Sequence, residues 1–385
     1  MSAITHIRHA DWLTCERVRV YAMLLAIASL ALLVNSYLKA MAPAGTDFLA
    51  FWGAGHVTTA GDPAAAYDLA VQERVQTATG SVGWFAFVNP PPFLFAVAPF
   101  GALPFPLAWL IWVTVTYALW AYASIRAFPR LWPLVVAFPG ALLAAGHAQT
   151  GLLTGALLVG GVALLPKRPL LAGALLGALI IKPHLALLVP FWLAGGGKWR
   201  AFLAAGVSAA GLLALSWLAF GPETMRAYTT SWRASAAIMA SADVDFYLRM
   251  ASPYSQLALI VPESAALAIN VALAIALAAM VAWSWRRFGG DAEASGALML
   301  AATALASPYL FNYDLPFLIL PLLYLVRCGL AEGFGPYEKL AIVALWFAPY
   351  ITRAAALPLG INLMPLASLA ILLLVWRRGT VARKS

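Results

Sequence analysis

Long apolar runs alternate with short polar turns along this chain, and the spacing of the turns sets the reading. The first apolar run extends from Val20 to Leu38, and a helix over 18–40 is predicted. That matches the ~20 residues a bilayer-spanning helix needs. Further runs predict helices near 104–126, 199–220, 256–285, 313–327, 339–352 and 357–376. Shorter apolar pieces fall at 131–146, 150–165, 169–182, 183–194 and 296–308. The turns joining the first four are polar: Gly146-His147-Ala148-Gln149-Thr150-Gly151, Lys167-Arg168-Pro169 and Lys182-Pro183-His184. Short helices sink such turns below the membrane surface, where they survive only inside protein or against a wet cavity. About twelve spans result, some short or re-entrant, in one domain over 1–385 without internal repeats or linkers.

Two longer polar stretches interrupt the apolar pattern. In the first, 41–89, Asp47 can cap a helix that starts at Phe48, with Phe48, Phe51, Trp52 and Gly55 on one side at helical spacing. Asp62-Pro63 is an N-cap and first-turn pair, and Tyr67, Val71, Val75 and Ala78 form a second stripe that stops near Gly80. Two amphipathic helices lying on the membrane surface are expected. Asn89-Pro90-Pro91-Pro92 cannot be helix interior and leads into a half-length apolar helix ending near Phe100. The second stretch, 221–252, carries Arg226, Trp232, Arg233, Asp243, Asp245 and Arg249.

Composition fixes the class. Apolar residues make up 63% of the chain and charged residues 10%, against about 25% charged in a soluble domain. The expectation is an all-α polytopic membrane protein, since lipid forces backbone polar groups to pair within helices. The net charge of +9 then reports orientation. Seventeen of the Lys and Arg residues fall on the side of the N-terminus and seven on the other. The positive-inside rule places both termini in the cytoplasm. Asp47, His147, Lys182, His184 and Asp314 then share the outer face. No Lys/Arg run with interleaved aromatics suggests a nucleic-acid partner. Cys15 and Cys328 both fall on the cytoplasmic side, where a disulfide is not expected, and two thiols alone do not make a zinc site. The first apolar run is too long for a cleavable signal peptide, so a retained helix in the inner membrane is expected.

Each polar cluster supports two readings. Asp47 sits where hydrocarbon gives way to headgroups, so it is either a helix cap or the base of a membrane enzyme. Lys182 and His184 suit an anionic lipid phosphate, although Lys182 could simply snorkel to the interface. His147 and Gln149 lie in a glycine-bracketed turn that allows close approach to a ligand or tight helix packing. Tyr309, Asn312, Tyr313 and Asp314 suit sugar hydroxyls, or make an aromatic belt with Asp314 as a cap. Asn89 caps or turns the chain before the prolines. No P-loop, G-x-G-x-x-G, H-E-x-x-H or G-x-S-x-G motif is present.

Taken in order, D-F-L-A-F-W-G-A-G (Asp47 to Gly55), G-D-P-A-A-A-Y-D (Gly61 to Asp68), N-P-P-P-F (Asn89 to Phe93), G-H-A-Q-T-G (Gly146 to Gly151), L-A-G-A-L-L-G-A-L-I-I-K-P-H (Leu171 to His184) and S-P-Y-L-F-N-Y-D (Ser307 to Asp314) resemble glycosyltransferase family 87. The resemblance covers most of the chain, and the order of the motifs is more specific than any one of them. It implies the GT-C membrane architecture. It also implies transfer of a sugar, typically mannose, from a polyprenyl phosphate carrier to a lipid-linked or envelope glycan on the outer face. By position, Asp47 matches the family's base and Lys182-Pro183 its lysine-proline turn. Many members carry glutamine where this chain has His184, and the mycobacterial-type members use histidine in the late outer loop, where this chain has Tyr309, Tyr313 and Asp314.

The chemistry that follows is a single inverting displacement. Asp47 takes the proton of the attacking hydroxyl, and Lys182, with His184, stabilises the departing phosphate. His147, Gln149, Asn89, Tyr313 and Asp314 are expected to line the substrate site. A monophosphate carrier needs little charge neutralisation, so neither a metal nor another cofactor is expected. A transporter or flippase would want ionisable residues at mid-membrane and two related halves, neither of which is evident. A glycan ligase remains the second alternative.

Overall fold

The structure is a computed structural model that describes residues 3–41, 45–240 and 244–381. Asp243, Arg383 and Lys384 lie outside the described residues, as does the Arg233 side chain. The described chain is helical throughout apart from turns and one isolated bridge, Met250 to Phe311.

Six described helices are long and apolar enough to cross a bilayer: Cys15–Met41, Phe105–Ala127, Trp199–Trp232, Glu263–Arg287, Asn312–Glu332 and Glu338–Leu359. A seventh arises if Pro129–Val136 and Pro139–His147, bent by 50°, count as one. The expected twelve are not reached by this measure. The difference lies in Gly151–Leu164, Pro169–Ile181, Pro183–Gly195 and Ala292–Ala306, which are apolar but short, and in the last helix, Met364–Val381, which is not among the six; Pro91–Gly101 is half-length, as expected. Proline starts three of the short segments, Pro91–Gly101, Pro169–Ile181 and Pro183–Gly195, and a 3-10 turn loosens each of them. Ala292–Ala306 is instead almost wholly buried, so it needs no length to match the lipid.

Three boundaries differ from expectation. The helix that starts at Trp199 does not stop near 220 but continues to Ala240 across a break at Gly221. Its φ of 79° is open to glycine and strained in other residues. Much of 221–252 is therefore helix. Glu338–Leu359 runs past its expected end and carries Pro349 and Pro358 within it, and the last helix starts at Met364.

The first polar stretch also differs. Phe48–Thr59 is no surface helix, because Phe48, Leu49, Ala50, Phe51, Ala54 and Val57 are all buried. It packs against Leu94–Gly101, with the Gly55 and Gly101 backbones in direct contact, so that a Cβ on either would overlap the other strand of chain. Trp52 Nε1 donates to the Leu103 carbonyl at 2.9 Å, and His56 Nδ1 lies 3.1 Å from the Gly101 carbonyl. Phe48, Phe51, Phe93 and Phe100 close round Trp112. Asp62 does cap, but it caps a 3-10 turn, and Asp68 starts the next α-helix, Leu69–Thr77. That helix buries Gln72 and Gln76 fully, with the Val71 and Val75 edge half-buried against the same core. The amides remain paired: Gln76 bonds Gln72 and both backbone groups of Phe85.

Candidate active site

Asp47 occupies the N-cap position of Phe48–Thr59, yet its side chain makes no capping hydrogen bond and its backbone is helical. Backbone carbonyls of Thr46 and Asp47 satisfy the Leu49 and Ala50 amides instead. The carboxylate is thus spared local work and turns away, where Oδ2 accepts a hydrogen bond from Gln149 Nε2 at 3.3 Å.

Gln149 reaches that point because of how its helix ends. Pro139–His147 stops at Ala148 in the left-handed conformation, φ 50°, an unusual place for a residue with a Cβ. The reversal presents Gln149, whose Oε1 accepts the Thr150 amide at 2.9 Å. Thr150 Oγ1 in turn accepts from Lys182 Nζ at 3.2 Å, and Lys182 Nζ meets Asp314 Oδ1 at 2.5 Å. Asp314 is fully buried and Lys182 nearly so. Asp314 Oδ2 also accepts the Phe311 amide at 3.2 Å. It therefore caps, as expected, and pairs with Lys182 as well. One continuous hydrogen-bonded path joins Asp47, Gln149, Thr150, Lys182 and Asp314, residues drawn from four parts of the chain.

Neighbouring turns hold this path in place. Gly151 packs against the Tyr313–Asp314 backbone so closely that a Cβ would overlap the Tyr313 carbonyl oxygen. Asn312 Nδ2 bonds the Pro349 carbonyl at 2.9 Å and Thr352 Oγ1 at 3.1 Å, and its Oδ1 accepts from Asn362 Nδ2. Asn89 does not cap. It donates to the Ile181 carbonyl at 3.3 Å, one residue before Lys182, so the triple-proline turn fixes the lysine turn.

The other expected residues divide. The His147 ring lies 5.5 Å from the Tyr313 ring, close enough to Asp47 for their charges to interact. The Lys182 ammonium is 5.5 Å from the same Tyr313 ring. His184 sits beside Lys182 but outside the path, with Nε2 enclosed and without a hydrogen-bond partner. Tyr309 belongs elsewhere: it packs edge-on to Tyr254, whose hydroxyl donates to Glu263 at 2.6 Å. Burial pushes the Asp47 carboxyl above the ordinary carboxylate range, and the Asp314 charge adds to this. His147, the Gln149 hydrogen bond and Lys182 pull the other way without cancelling it.

Two cations stand out that the sequence did not single out: Arg249 was one of several outer-loop arginines able to help Lys182, and Arg353 was counted without a role. Arg353 is half-buried and interacts electrostatically with Asp47 and Tyr313, and Arg249 with His147 and Arg353. Neither forms an ion pair among the described residues. The signal was available: a cation on the face where Lys and Arg are scarce is unexplained by the positive-inside bias. Among the described residues no three His, Cys, Asp or Glu side chains form a metal-ligating group.

Fold and site define a multi-pass, all-helical membrane protein whose short central helices and turns converge on a partly desolvated carboxylate flanked by cations. The sequence pattern of glycosyltransferase family 87 matches residues 87–308, and the chain belongs to that family. The matched segment holds Asn89, His147, Gln149, Lys182, His184 and Arg249. No curated protein and no solved structure matches the chain. It is a membrane glycosyltransferase.

Proposed function

We propose that the protein transfers a hexose, in the first instance mannose, from a polyprenyl phosphate carrier to a hydroxyl of a lipid-linked or cell-envelope glycan, with Asp47 as general base. The observation that carries this is the Asp47 carboxylate: it occupies a cap position, makes no cap, and is held by Gln149 alone beside an imidazole and uncompensated cations. A sugar hydroxyl is a weak nucleophile at neutral pH. A positioned base that takes its proton as it attacks the anomeric carbon is worth typically 10²–10⁴-fold. The C–O bond to phosphate breaks from the opposite side, which inverts the anomeric centre.

Charge supports the same donor. Asp47 and Asp314 face Lys182, Arg353 and Arg249, which leaves one positive charge when His147 is neutral. A sugar phosphodiester carries one negative charge and gains a second as it departs. Because Asp314 already neutralises Lys182, Arg353 and Arg249 supply the free charge. Lys182 then orients the phosphate through its remaining hydrogen and keeps Thr150 and Gln149 in line. Protein cations suffice for a single phosphate, so the reading includes no metal. The Lys- and Arg-rich end of the bundle faces the cytoplasm of the inner membrane, with both termini, and Asp47 faces outward.

The test is Asp47→Asn in membranes supplied with labelled polyprenyl-phosphate mannose and endogenous acceptor. The asparagine keeps the acceptor for Gln149 and loses the basic oxygen. Transfer is expected to fall at least about 100-fold. Near wild-type transfer would remove Asp47 as the base. Transfer from other carrier-linked sugars but not from mannose would retain the mechanism and correct the sugar.

A further inference from the structure

The end of the bundle opposite Asp47 holds a cavity that sugar transfer does not use. It encloses about 470 Å³ between the first span and the body of the protein. Ala22, Leu134, Leu323 and Ile342 are among its apolar walls. The opening exists because Cys15–Met41 leans on the body lightly: of its residues only Ala22, Ser29 and Ala40 are buried. Three cations line the cavity, Arg19, Arg130 and Lys339, and no carboxylate does. Arg19 and Arg130 are exposed and form no ion pair among the described residues. Lys339 is partly engaged, donating to the Ala10 carbonyl at 3.3 Å over the Phe334 ring. Of the acids nearby, Glu332 and Glu338 already bind Arg378, and Glu338 binds Arg377 too, while Asp11 and Glu16, beside the lining residues Trp12 and Cys15, are exposed and do not line the cavity.

We propose that this cavity is a binding site for one anionic glycerophospholipid, with an acyl chain between the first span and the body and the phosphate on Arg19 and Arg130. A dry groove open to the bilayer accepts a hydrocarbon chain at no cost in polar burial. Basic pockets between membrane helices capture anionic headgroups, and guanidinium matches phosphate oxygens in pairs. A choline headgroup would bring a second cation among three, so charge selects against it. The site stands apart from the transfer reading, since it shares no residue with the Asp47 path.

The test uses the purified full chain, delipidated in detergent and examined by native mass spectrometry with phosphatidylglycerol or phosphatidylcholine as probe. Phosphatidylglycerol should be retained in preference. Arg19→Gln with Arg130→Gln should weaken that retention roughly tenfold or more and leave phosphatidylcholine unchanged. Ile342→Trp, which fills the groove and keeps both charges, should also lower phosphatidylglycerol retention, and a thermal melt at the wild-type temperature shows each variant folded. Equal retention of the two lipids, or wild-type retention by the double variant, would overturn the proposal. Displacement of phosphatidylglycerol by polyprenyl phosphate, lost in the same variants, would also overturn it and assign the groove to the carrier.

Discussion

Asp314→Asn asks whether Lys182 is held by the fold or free for substrate. The substitution preserves shape and an acceptor for the Phe311 amide, and deletes only the charge that faces Lys182. Removing one partner of a buried ion pair costs about 3–5 kcal/mol, because the other charge stays behind uncompensated. Here Lys182 keeps the Thr150 hydroxyl at 3.2 Å and is 13% exposed, so the loss should sit near the lower end, about 3 kcal/mol. Lys182→Met should cost as much or more, since it strands a carboxylate with no exposure of its own. The double variant removes both charges and should come within about 1 kcal/mol of wild type. The two single losses would then exceed the double loss by several kcal/mol. The assay is a double-mutant cycle from unfolding in mixed micelles, followed by tryptophan fluorescence. A coupling below about 0.5 kcal/mol, the value of an exposed pair, would refute the argument and return Lys182 to the phosphate as a free cation.

Four further outcomes follow from the same geometry. The Asp47 carboxyl is raised, so it gains its proton at a higher pH than an ordinary carboxylate. The acid limb of the kcat/KM profile should therefore lie above the usual range near 4, and a limb at or below it would contradict the burial. Gly151→Ala drives a methyl into the Tyr313 carbonyl and should cost about 1–3 kcal/mol or more, whereas Gly155→Ala, whose neighbours at 3.0 and 3.1 Å are side chains of Trp120 and Pro316, should cost less; comparative melting in detergent checks the order. Ala148→Gly relieves a left-handed alanine and should stabilise by up to about 1 kcal/mol, again seen in the melt. Arg353→Gln should lower transfer about 10²-fold with an unchanged melt, and an unchanged rate would free the phosphate from that arginine.

The membrane class, the buried polar turns and the meeting of Asp47 with Lys182 were all legible in the sequence. Alternation of apolar runs with Lys/Arg-poor turns carries that information without any knowledge of packing. What the sequence did not reveal were facts of tertiary pairing. Phe48–Thr59 reads as amphipathic because Phe48, Phe51, Trp52 and Gly55 share one side at helical spacing, but aromatic packing round Trp112 and burial of Leu49, Ala50, Ala54 and Val57 draw most of the helix inward. Gln72 and Gln76 look like solvent-facing residues until they find the Phe85 backbone. Lys182 reads as a free cation because Asp314 lies 132 positions away. Asn89 looks like a cap, and only the fold brings it to Ile181. The twelve expected spans counted the short apolar pieces as spans, whereas proline starts Pro169–Ile181 and Pro183–Gly195 and burial lets Ala292–Ala306 stay short.

With Asp47 as the proposed base, the Gly55–Gly101 junction would make catalytic rate depend on residues that never see a sugar. Asp47 stands at the tip of a rod whose far half is keyed into a second rod without any side chain between them. A methyl at either glycine must push the rods apart, and the tip travels with its shaft. Displacing a reacting group by about 1 Å can slow a reaction 10²-fold. Alanine at these two sites should therefore yield chains that enter the membrane yet transfer poorly, a failure of aim and not of chemistry.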